Sequence, residues 1–220
     1  MLGKDLATEE LPYLTLNDAI EKASIWMDEF KVSHLAVVDD KVFVGMISED
    51  TILEISDWTN SIREHELSLI KVSAFDSDHL FELLNKFNEA ALSVLAIVDE
   101  NGLYIGSVNA FQFIRSFGAM SPIKEPGGII ELELNMNDYS LSEIAQIVES
   151  NGAKILGSFI TPNVDSKKLN VTLKVNQSRI DSVLQTFERY QYNVVASFFE
   201  SHQTEMIKDR YANLMRYLNI

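Results

Sequence analysis

The side chains that most often carry nucleophilic, acid–base or metal chemistry are few in this chain. Its 220 residues include no cysteine, which excludes disulfides, thiolate metal sites and thiol catalysis. The four histidines lie far apart, and none has the His-x-x-x-His spacing of a metal site. Neither a Gly-x-Ser-x-Gly elbow nor a phosphate-binding Gly-x-x-x-x-Gly-Lys loop occurs. The sequence therefore predicts no catalytic residue of these kinds, and it favours a protein that is not an enzyme.

Pairs of acidic residues are the remaining candidates for metal binding. Carboxylates at Asp39-Asp40, Glu49-Asp50 and Asp99-Glu100 are ligands that Mg²⁺ and Ca²⁺ prefer. The pairs fall at predicted hairpin turns or at a predicted helix start, where acidic side chains are ordinarily solvated or cap backbone N–H groups. We therefore predict no metal site.

Short polar segments follow two glycines and form a third candidate. Their side chains are hydroxyl, carboxylate and amide groups, which can exchange hydrogen bonds with a polar ligand. Each segment stands at the predicted start of a helix, whose free N–H groups can bind a single phosphate. The segments contain Ser48, Asp50 and Thr51 after Gly45, and Asn109 and Gln112 after Gly106.

The two glycines belong to a duplicated segment. Residues 35–45 match residues 95–106 at an offset of 60, which becomes 61 at the glycine. Each copy has the pattern of a β-hairpin, and Asn101-Gly102 is a strong turn signal. Apolar stripes predict one helix before each hairpin and another after it, near 49–58 and 110–117. A unit this small is marginally stable alone, so the copies are expected to pack together.

This duplicated order of strand, helix, strand, strand and helix resembles the cystathionine-beta-synthase (CBS) domain, and the tandem arrangement resembles a CBS pair. Such pairs commonly bind AMP, ADP, ATP or S-adenosylmethionine through a Gly-x-x-Thr-x-x-Asp segment. Here Ser48 stands at the threonine position and Thr51 at the aspartate position, with Asp50 one residue earlier. Asn109 and Gln112 occupy the same positions in the second copy. The resemblance implies a regulatory adenosyl site at these five residues.

Charge narrows the class of partner. The net charge is −15, and residues 1–120 carry 21 acidic and 8 basic residues. This imbalance disfavours nucleic acid, which is bound by clustered Lys and Arg. The scarcity of cations in the first half also favours adenosine or AMP over ATP.

No apolar run approaches the roughly 20 residues of a membrane helix, and no signal pattern opens the chain. We therefore expect a soluble cytoplasmic protein.

The second half has a different pattern. Alternating apolar residues predict strands, and two apolar stripes predict helices in the order βαββαβ. This order resembles an ACT domain, a family that often binds amino acids and often pairs. The loop after its first strand contains Asp138, which could hold an α-amino group or be a solvated turn residue. The whole architecture resembles the acetoin-utilisation type B proteins.

These patterns predict an α/β (α+β) fold in several parts. The expected parts are CBS units at 1–60 and 61–120, a linker at 121–128, an ACT-like domain at 129–200 and a helix at 201–220. The apolar stripe of that last helix would pack on its own chain or on a partner helix.

Three functions are compatible with this architecture. The favoured one is a non-catalytic sensor, in which the CBS pair binds an adenosyl ligand and the ACT-like domain binds a small molecule or mediates dimerisation. The alternative is an association module that forms a homodimer without a ligand. An enzyme with an unrecognised site is the least favoured.

Overall fold

The computed structural model describes residues 1–198, which form two compact units. The first unit is Met1–Gly118, and the second begins at Ala119. The helix predicted at 201–220 lies outside the described residues.

The first copy of the repeat is built around one hairpin. It comprises helices α1 (Gly3–Leu6) and α2 (Ile20–Phe30), strands β1 (His34–Asp39) and β2 (Val42–Ser48), helix α3 (Glu49–Glu54) and a 3₁₀ helix at Ile62–Ser68. Helix α3 ends at Glu54, whereas its apolar pattern predicted an end near Trp58. The reason is a turn in which Asp57 Oδ1 accepts hydrogen bonds from the backbone N–H and the hydroxyl of Thr59.

The second copy repeats the helix, hairpin and helix and so confirms the duplication, but only this copy has the predicted leading strand; the first copy has the single bridge of Leu14 with Val37 in its place. It comprises strand β3 (Ser73–Phe75), helix α4 (Leu80–Glu89), strands β4 (Val94–Val98) and β5 (Tyr104–Asn109), and helix α5 (Ala110–Gly118). Strand β3 is parallel to β4, and β4 is antiparallel to β5. Strands β1 and β4 bury nearly every residue, as expected for strands covered on both faces.

The segment that leads into each copy crosses onto the hairpin of the other copy. Thr8 exchanges two backbone hydrogen bonds of 3.0 Å with Ser107 of β5, and Ile70 pairs in the same way with Met46 of β2. The crossing points lie beside Gly106 and Gly45, where a Cβ atom would meet the crossing segment at 3.0 Å and 2.8 Å. These crossings join the two copies, and a small shared core of buried side chains supports them. That core consists of Leu11, Ala36, Met46, Val94 and Ala96.

The second unit confirms the predicted βαββαβ order. Its elements are the short helix α6 (Ser121–Lys124), strand β6 (Ile129–Asn135), helix α7 (Leu141–Ser150), strands β7 (Ile155–Pro162) and β8 (Lys168–Val175), helix α8 (Asp181–Arg189) and strand β9 (Asn193–Phe198). The four strands form one antiparallel sheet in the order β7-β8-β6-β9. This is the ferredoxin-like arrangement that an ACT-like domain has.

The core of the second unit lies between the sheet and its two long helices. Every second residue of β6 is buried, which matches the alternation in the sequence. Helices α7 and α8 cover that face with Ile144, Ile147, Val183 and the fully buried Phe187.

Candidate functional site

The polar residues at the start of α3 are engaged with one another. The Ser48 hydroxyl accepts a hydrogen bond from the backbone N–H of Thr51 at 3.1 Å and lies 2.8 Å from the Thr51 hydroxyl. Ser48 is buried, whereas Asp50 is exposed. The structure thus brings Ser48 and Thr51 together as the cap of the helix, with Asp50 on its outer side.

The start of α5 uses amides for the same purpose. The Asn109 side-chain oxygen accepts from the backbone N–H of Gln112 at 2.7 Å, and the Gln112 side-chain oxygen accepts from the backbone N–H of Asn109 at 3.4 Å. The Gln112 amide also donates to Glu10, in the segment that crosses from the first copy. The two predicted polar sets therefore occupy equivalent places, and both cap a helix.

Between these helix starts lies a polar cluster that the sequence did not single out, made of Ser33, His34 and Ser93. The Ser93 hydroxyl accepts from the backbone N–H of Ser33 at 3.0 Å and lies 3.1 Å from His34 Nδ1. Ser33 and Ser93 are equivalent residues of the two copies, 60 apart. The recurrence of serine at the repeat offset of 60 is the sequence signal that could have identified these two residues. The cluster joins the copies at their centre.

The cluster is tied directly to both helices. The carbonyl of Ser33 accepts from the N–H of Glu49, the first residue of α3, and the carbonyl of Ser93 accepts from the N–H of Ala110, the first residue of α5. Each bond is 2.9 Å long. A ligand that contacts the cluster is therefore next to the first turns of α3 and α5.

Burial sets the electrostatics of the cluster. It lowers the pKa of His34, while the negative charges of Asp50 and Glu49 act in the opposite direction. The imidazole is therefore neutral near pH 7, and it can both accept and donate hydrogen bonds. A neutral cluster of hydroxyl and imidazole groups suits the uncharged polar atoms of a ligand.

A cleft of about 430 Å³ opens beside this cluster. Ser33, Ser93 and Glu49 form its polar wall, and Trp58 contributes a partly exposed indole. Lys31 also lines the cleft and pairs with Asp28 at 2.7 Å on the surface. The cleft thus offers hydroxyls, an aromatic surface, one cation and the carboxylates of Asp28 and Glu49. None of the five residues predicted for the adenosyl ligand lines it.

A second cleft, of about 460 Å³, lies in the second unit and contains Asp138. The Asp138 carboxylate accepts from the side-chain amide of Asn135 at 2.8 Å. Tyr192 and Glu143 share the cleft, and burial together with the Glu143 carboxylate raises the pKa of Tyr192 to about 12. A salt bridge of 2.8 Å between Lys168 and Glu133 also borders the cleft. The lining is therefore strongly polar, with acceptors in excess.

Residues 1–198 show neither a metal site nor a membrane-spanning helix. No group of three or more histidine or acidic side chains there is placed to hold a metal ion. Within the same range, no helix is both long and apolar enough to cross a membrane.

Comparison with known proteins finds a family match in the first copy of the repeat. The CBS domain family matches residues 4–57. A curated homoserine O-acetyltransferase from Methanococcus vannielii is 27% identical over 112 residues, which are 49% of this chain and 23% of that protein. The chain therefore spans less than a quarter of the length of this relative.

Solved structures similar to this chain include several CBS proteins. A CBS domain pair/ACT domain protein from Thermotoga maritima is 21% identical, with coverage of 53% of this chain and 96% of that chain and a TM-score of 0.48. CBSX2 in complex with AMP is 20% identical, with coverage of 53% and 95% and a TM-score of 0.45. A putative acetoin utilization protein from Vibrio cholerae is 18% identical, with coverage of 53% and 90% and a TM-score of 0.46. The family match places a CBS domain at residues 4–57, and the second copy repeats its order of helix, hairpin and helix.

Proposed function

We propose that this protein is a non-catalytic regulatory sensor whose CBS pair binds an adenosyl ligand. The observation that carries the proposal is the cluster of Ser33, His34 and Ser93, which joins the two copies and is hydrogen-bonded to the first residues of α3 and α5. A ligand that binds there contacts both copies at once. A sensor requires a ligand that binds one arrangement of the copies more tightly than another, and a ligand held by both copies can meet that requirement.

The proposed contacts are the polar residues of the two helix starts. Ser48, Asp50 and Thr51 would serve the ribose or phosphate from the first copy, and Asn109 and Gln112 from the second. Because four of these side chains cap helices, a ligand must exchange hydrogen bonds with the caps. The exposed carboxylate of Asp50 can accept from ribose hydroxyls without such an exchange.

The cations of the first unit favour a ligand with little phosphate. The Arg63 guanidinium lies 3.6 Å from the Asp39 carboxylate, and the Arg115 guanidinium lies over the Phe111 ring. Lys31, beside the cleft, is already paired with Asp28. A triphosphate needs several cations or donors to replace its water, so we propose AMP or adenosine ahead of ATP, with S-adenosylmethionine as a cationic alternative.

The test is calorimetric titration of the full chain with AMP, ADP, ATP and S-adenosylmethionine, together with thermal unfolding. A ligand at 100 times its Kd stabilises the folded protein by about 2.7 kcal/mol. Replacing Ser48 with alanine is expected to weaken binding by about tenfold, because it removes a polar contact in the site. Ser140→Ala is the matched control, since it removes the equivalent helix cap from α7 in the other unit.

The absence of heat and of any thermal shift at millimolar concentration of all four compounds would refute this function. Equal weakening by Ser48→Ala and Ser140→Ala would also refute the proposed place of binding.

We further propose that the second unit is an ACT-like ligand domain whose cleft binds a small polar molecule. Asp138 and Glu143 supply negative charge that suits an α-amino group, and Tyr192 supplies a hydroxyl. We place the limits of the parts at 1–60 and 61–120 for the CBS units and at 129–200 for this domain, joined by 121–128.

A second candidate function is homodimeric association, which an apolar surface on α4 and α5 favours. Phe81, Leu84, Phe111 and Ile114 are all at least 43% exposed. The equivalent residues of the first copy are Glu21, Ser24, Asp50 and Leu53. The two helices contact each other through the Phe87 and Phe113 rings, whose centroids are 5.3 Å apart. Apolar side chains at positions that the first copy leaves mostly polar indicate a face that a second chain covers.

Light scattering on the full chain tests this association. We expect about twice the 24.9 kDa mass of one chain. Restoring the residues of the first copy, with Phe81→Glu and Phe111→Asp together, is expected to give monomers, because burying carboxylates at the interface is unfavourable. Ile25→Glu, at an exposed position of α2, is the control and should leave the mass unchanged. A monomeric parent chain, or a double variant that stays dimeric, would contradict the proposed face.

A further inference from the structure

A third cleft lies where the two hairpin turns meet, at the opposite end of the hairpins from the helix starts. We call it the turn cleft; it has a volume of about 410 Å³, within the range of small-molecule sites. Its walls come from three places: the crossing segment at Glu9 and Tyr13, the first hairpin at Lys41, and β5 at Tyr104. None of the residues proposed for the adenosyl ligand lines it.

Two aromatic rings form one wall of the turn cleft. The centroids of Tyr13 and Tyr104 are 5.3 Å apart, and the rings meet edge to face. The Tyr104 hydroxyl lies 2.9 Å from the hydroxyl of the buried Ser107, which fixes that ring in place. Tyr13 also lines the cleft and is 46% exposed. The aliphatic side chains of Leu11 and Val38 complete an apolar, aromatic surface for a planar ring.

Opposite charges stand on the rim of the same cleft. Lys41 supplies a cation and Glu9 a carboxylate, and neither forms a salt bridge with any residue in the part of the chain that the structure describes. A cation and a carboxylate placed in this way beside an aromatic surface complement a molecule with a planar ring, a carboxylate and an ammonium group.

The turn that carries Lys41 is conformationally unusual. Asp40 and Lys41 both adopt left-handed backbone angles, with φ of 47° and 70°. Aspartate tolerates this conformation, but a lysine is strained in it. The second copy makes its turn with Asn101-Gly102, where glycine adopts it freely. The carbonyl of Lys41 accepts from the N–H of Tyr104 at 2.8 Å, so the strained turn is held against the aromatic wall.

The repeat supplies an internal comparison. Ser73 occupies the position equivalent to Tyr13, and Phe43 the position equivalent to Tyr104, since each follows the bulge in its hairpin. The second copy therefore has neither the pair of tyrosines nor the lysine at the corresponding place. The repeat places equivalent positions at a second location, but only the turn cleft has the aromatic and charged lining. This difference indicates a dedicated binding site, because the duplicated fold alone would give both locations the same lining.

We propose that the turn cleft binds a free aromatic α-amino acid. Its ring packs against Tyr13 and Tyr104, its carboxylate pairs with Lys41 and its ammonium group pairs with Glu9. This site is separate from the adenosyl site and from the cleft that contains Asp138, so it adds a second regulatory input to the CBS pair.

Calorimetric titration of the full chain with L-phenylalanine and L-tryptophan tests the proposal. Both are expected to bind, while phenethylamine, which has no carboxylate, and 3-phenylpropionate, which has no ammonium group, should bind about tenfold or more weakly. Lys41→Gln and Glu9→Gln should each weaken L-phenylalanine binding by a similar factor. Lys31→Gln is the matched control, because Lys31 is also exposed and left-handed, with a φ of 54°, but does not line the turn cleft.

Three results would overturn the proposal. The first is no heat with either amino acid at millimolar concentration. The second is equal weakening by Lys41→Gln and Lys31→Gln. The third is binding that survives Lys41→Gln and Glu9→Gln but disappears in Asp138→Asn, which would place the amino acid in the second unit. Failure of AMP to bind would leave this proposal standing, because the two sites share no residue.

Discussion

Phe187→Ala is expected to lower the free energy of unfolding of the second unit by about 3–5 kcal/mol. Phe187 is completely buried between α8 and the sheet, and its ring contacts Tyr192 edge to face at 5.4 Å. Truncation removes apolar contacts and leaves a cavity that the surrounding strands and helices cannot fill. Urea unfolding followed by circular dichroism measures the change.

Phe159→Ala is the matched control for that substitution. Phe159 belongs to the same sheet but is 43% exposed at the edge strand β7. Removal of the Phe159 ring should lower the free energy of unfolding by less than about 1 kcal/mol, since little buried area is lost. Equal effects of the two substitutions would contradict the core as described. The result matters for function because the same sheet and helices hold the cleft that contains Asp138.

Gly106→Val is expected to destabilise the first unit by about 1–3 kcal/mol, the usual cost of overpacking. A Cβ atom at Gly106 would lie 3.0 Å from the carbonyl oxygen of Thr8, and backbone atoms cannot move aside as a flexible side chain can. The crossing segment would therefore be pushed away from Ser107, with the loss of two backbone hydrogen bonds. Gly45→Val should act in the same direction at the equivalent crossing, where Leu69 is in the way.

Gly118→Val is the control for both glycine substitutions, because a Cβ atom at Gly118 would meet no heavy atom of the described residues within 4 Å. Its effect is expected to stay within about 0.5 kcal/mol. Thermal unfolding of the three variants distinguishes a crossing effect from a general effect of adding valine. If Gly106→Val were as stable as Gly118→Val, the crossing of the segments would not be what holds the copies together. Loss of the crossing should also open the turn cleft, since Glu9 and Tyr13 follow Thr8.

Much of the fold follows from local patterns. The repeat at residues 35–45 and 95–106 predicted two hairpins, and alternation around Ile130 and Leu132 predicted a strand with one buried face; the structure has both. These predictions succeed because side chains alternate along a strand and recur every 3.6 residues along a helix, so burial is visible over a few neighbouring positions.

The candidate site was less predictable from the sequence. Ser48 and Asn109 were singled out by their places after the glycines, and the structure shows that both cap helices. His34 was considered only as a metal ligand and dismissed, yet it lies in the polar cluster between the copies. Its role depends on Ser93, which is 59 residues away, and a pattern read over neighbouring positions carries no information about that contact.

The sequence by itself determined the duplication, the helix, hairpin and helix of each copy, the βαββαβ order of the second half, and the recurrence of glycine at positions 45 and 106. Tertiary structure alone decided why those glycines are needed, because the crossing segments that approach them come from the other copy. It also decided that Tyr13, Lys41 and Tyr104 meet in one cleft. The physical reason is that the side-chain periodicity of a helix or strand can be recognised over a few neighbouring residues. Which distant residues share a surface is set instead by the packing of one copy on the other.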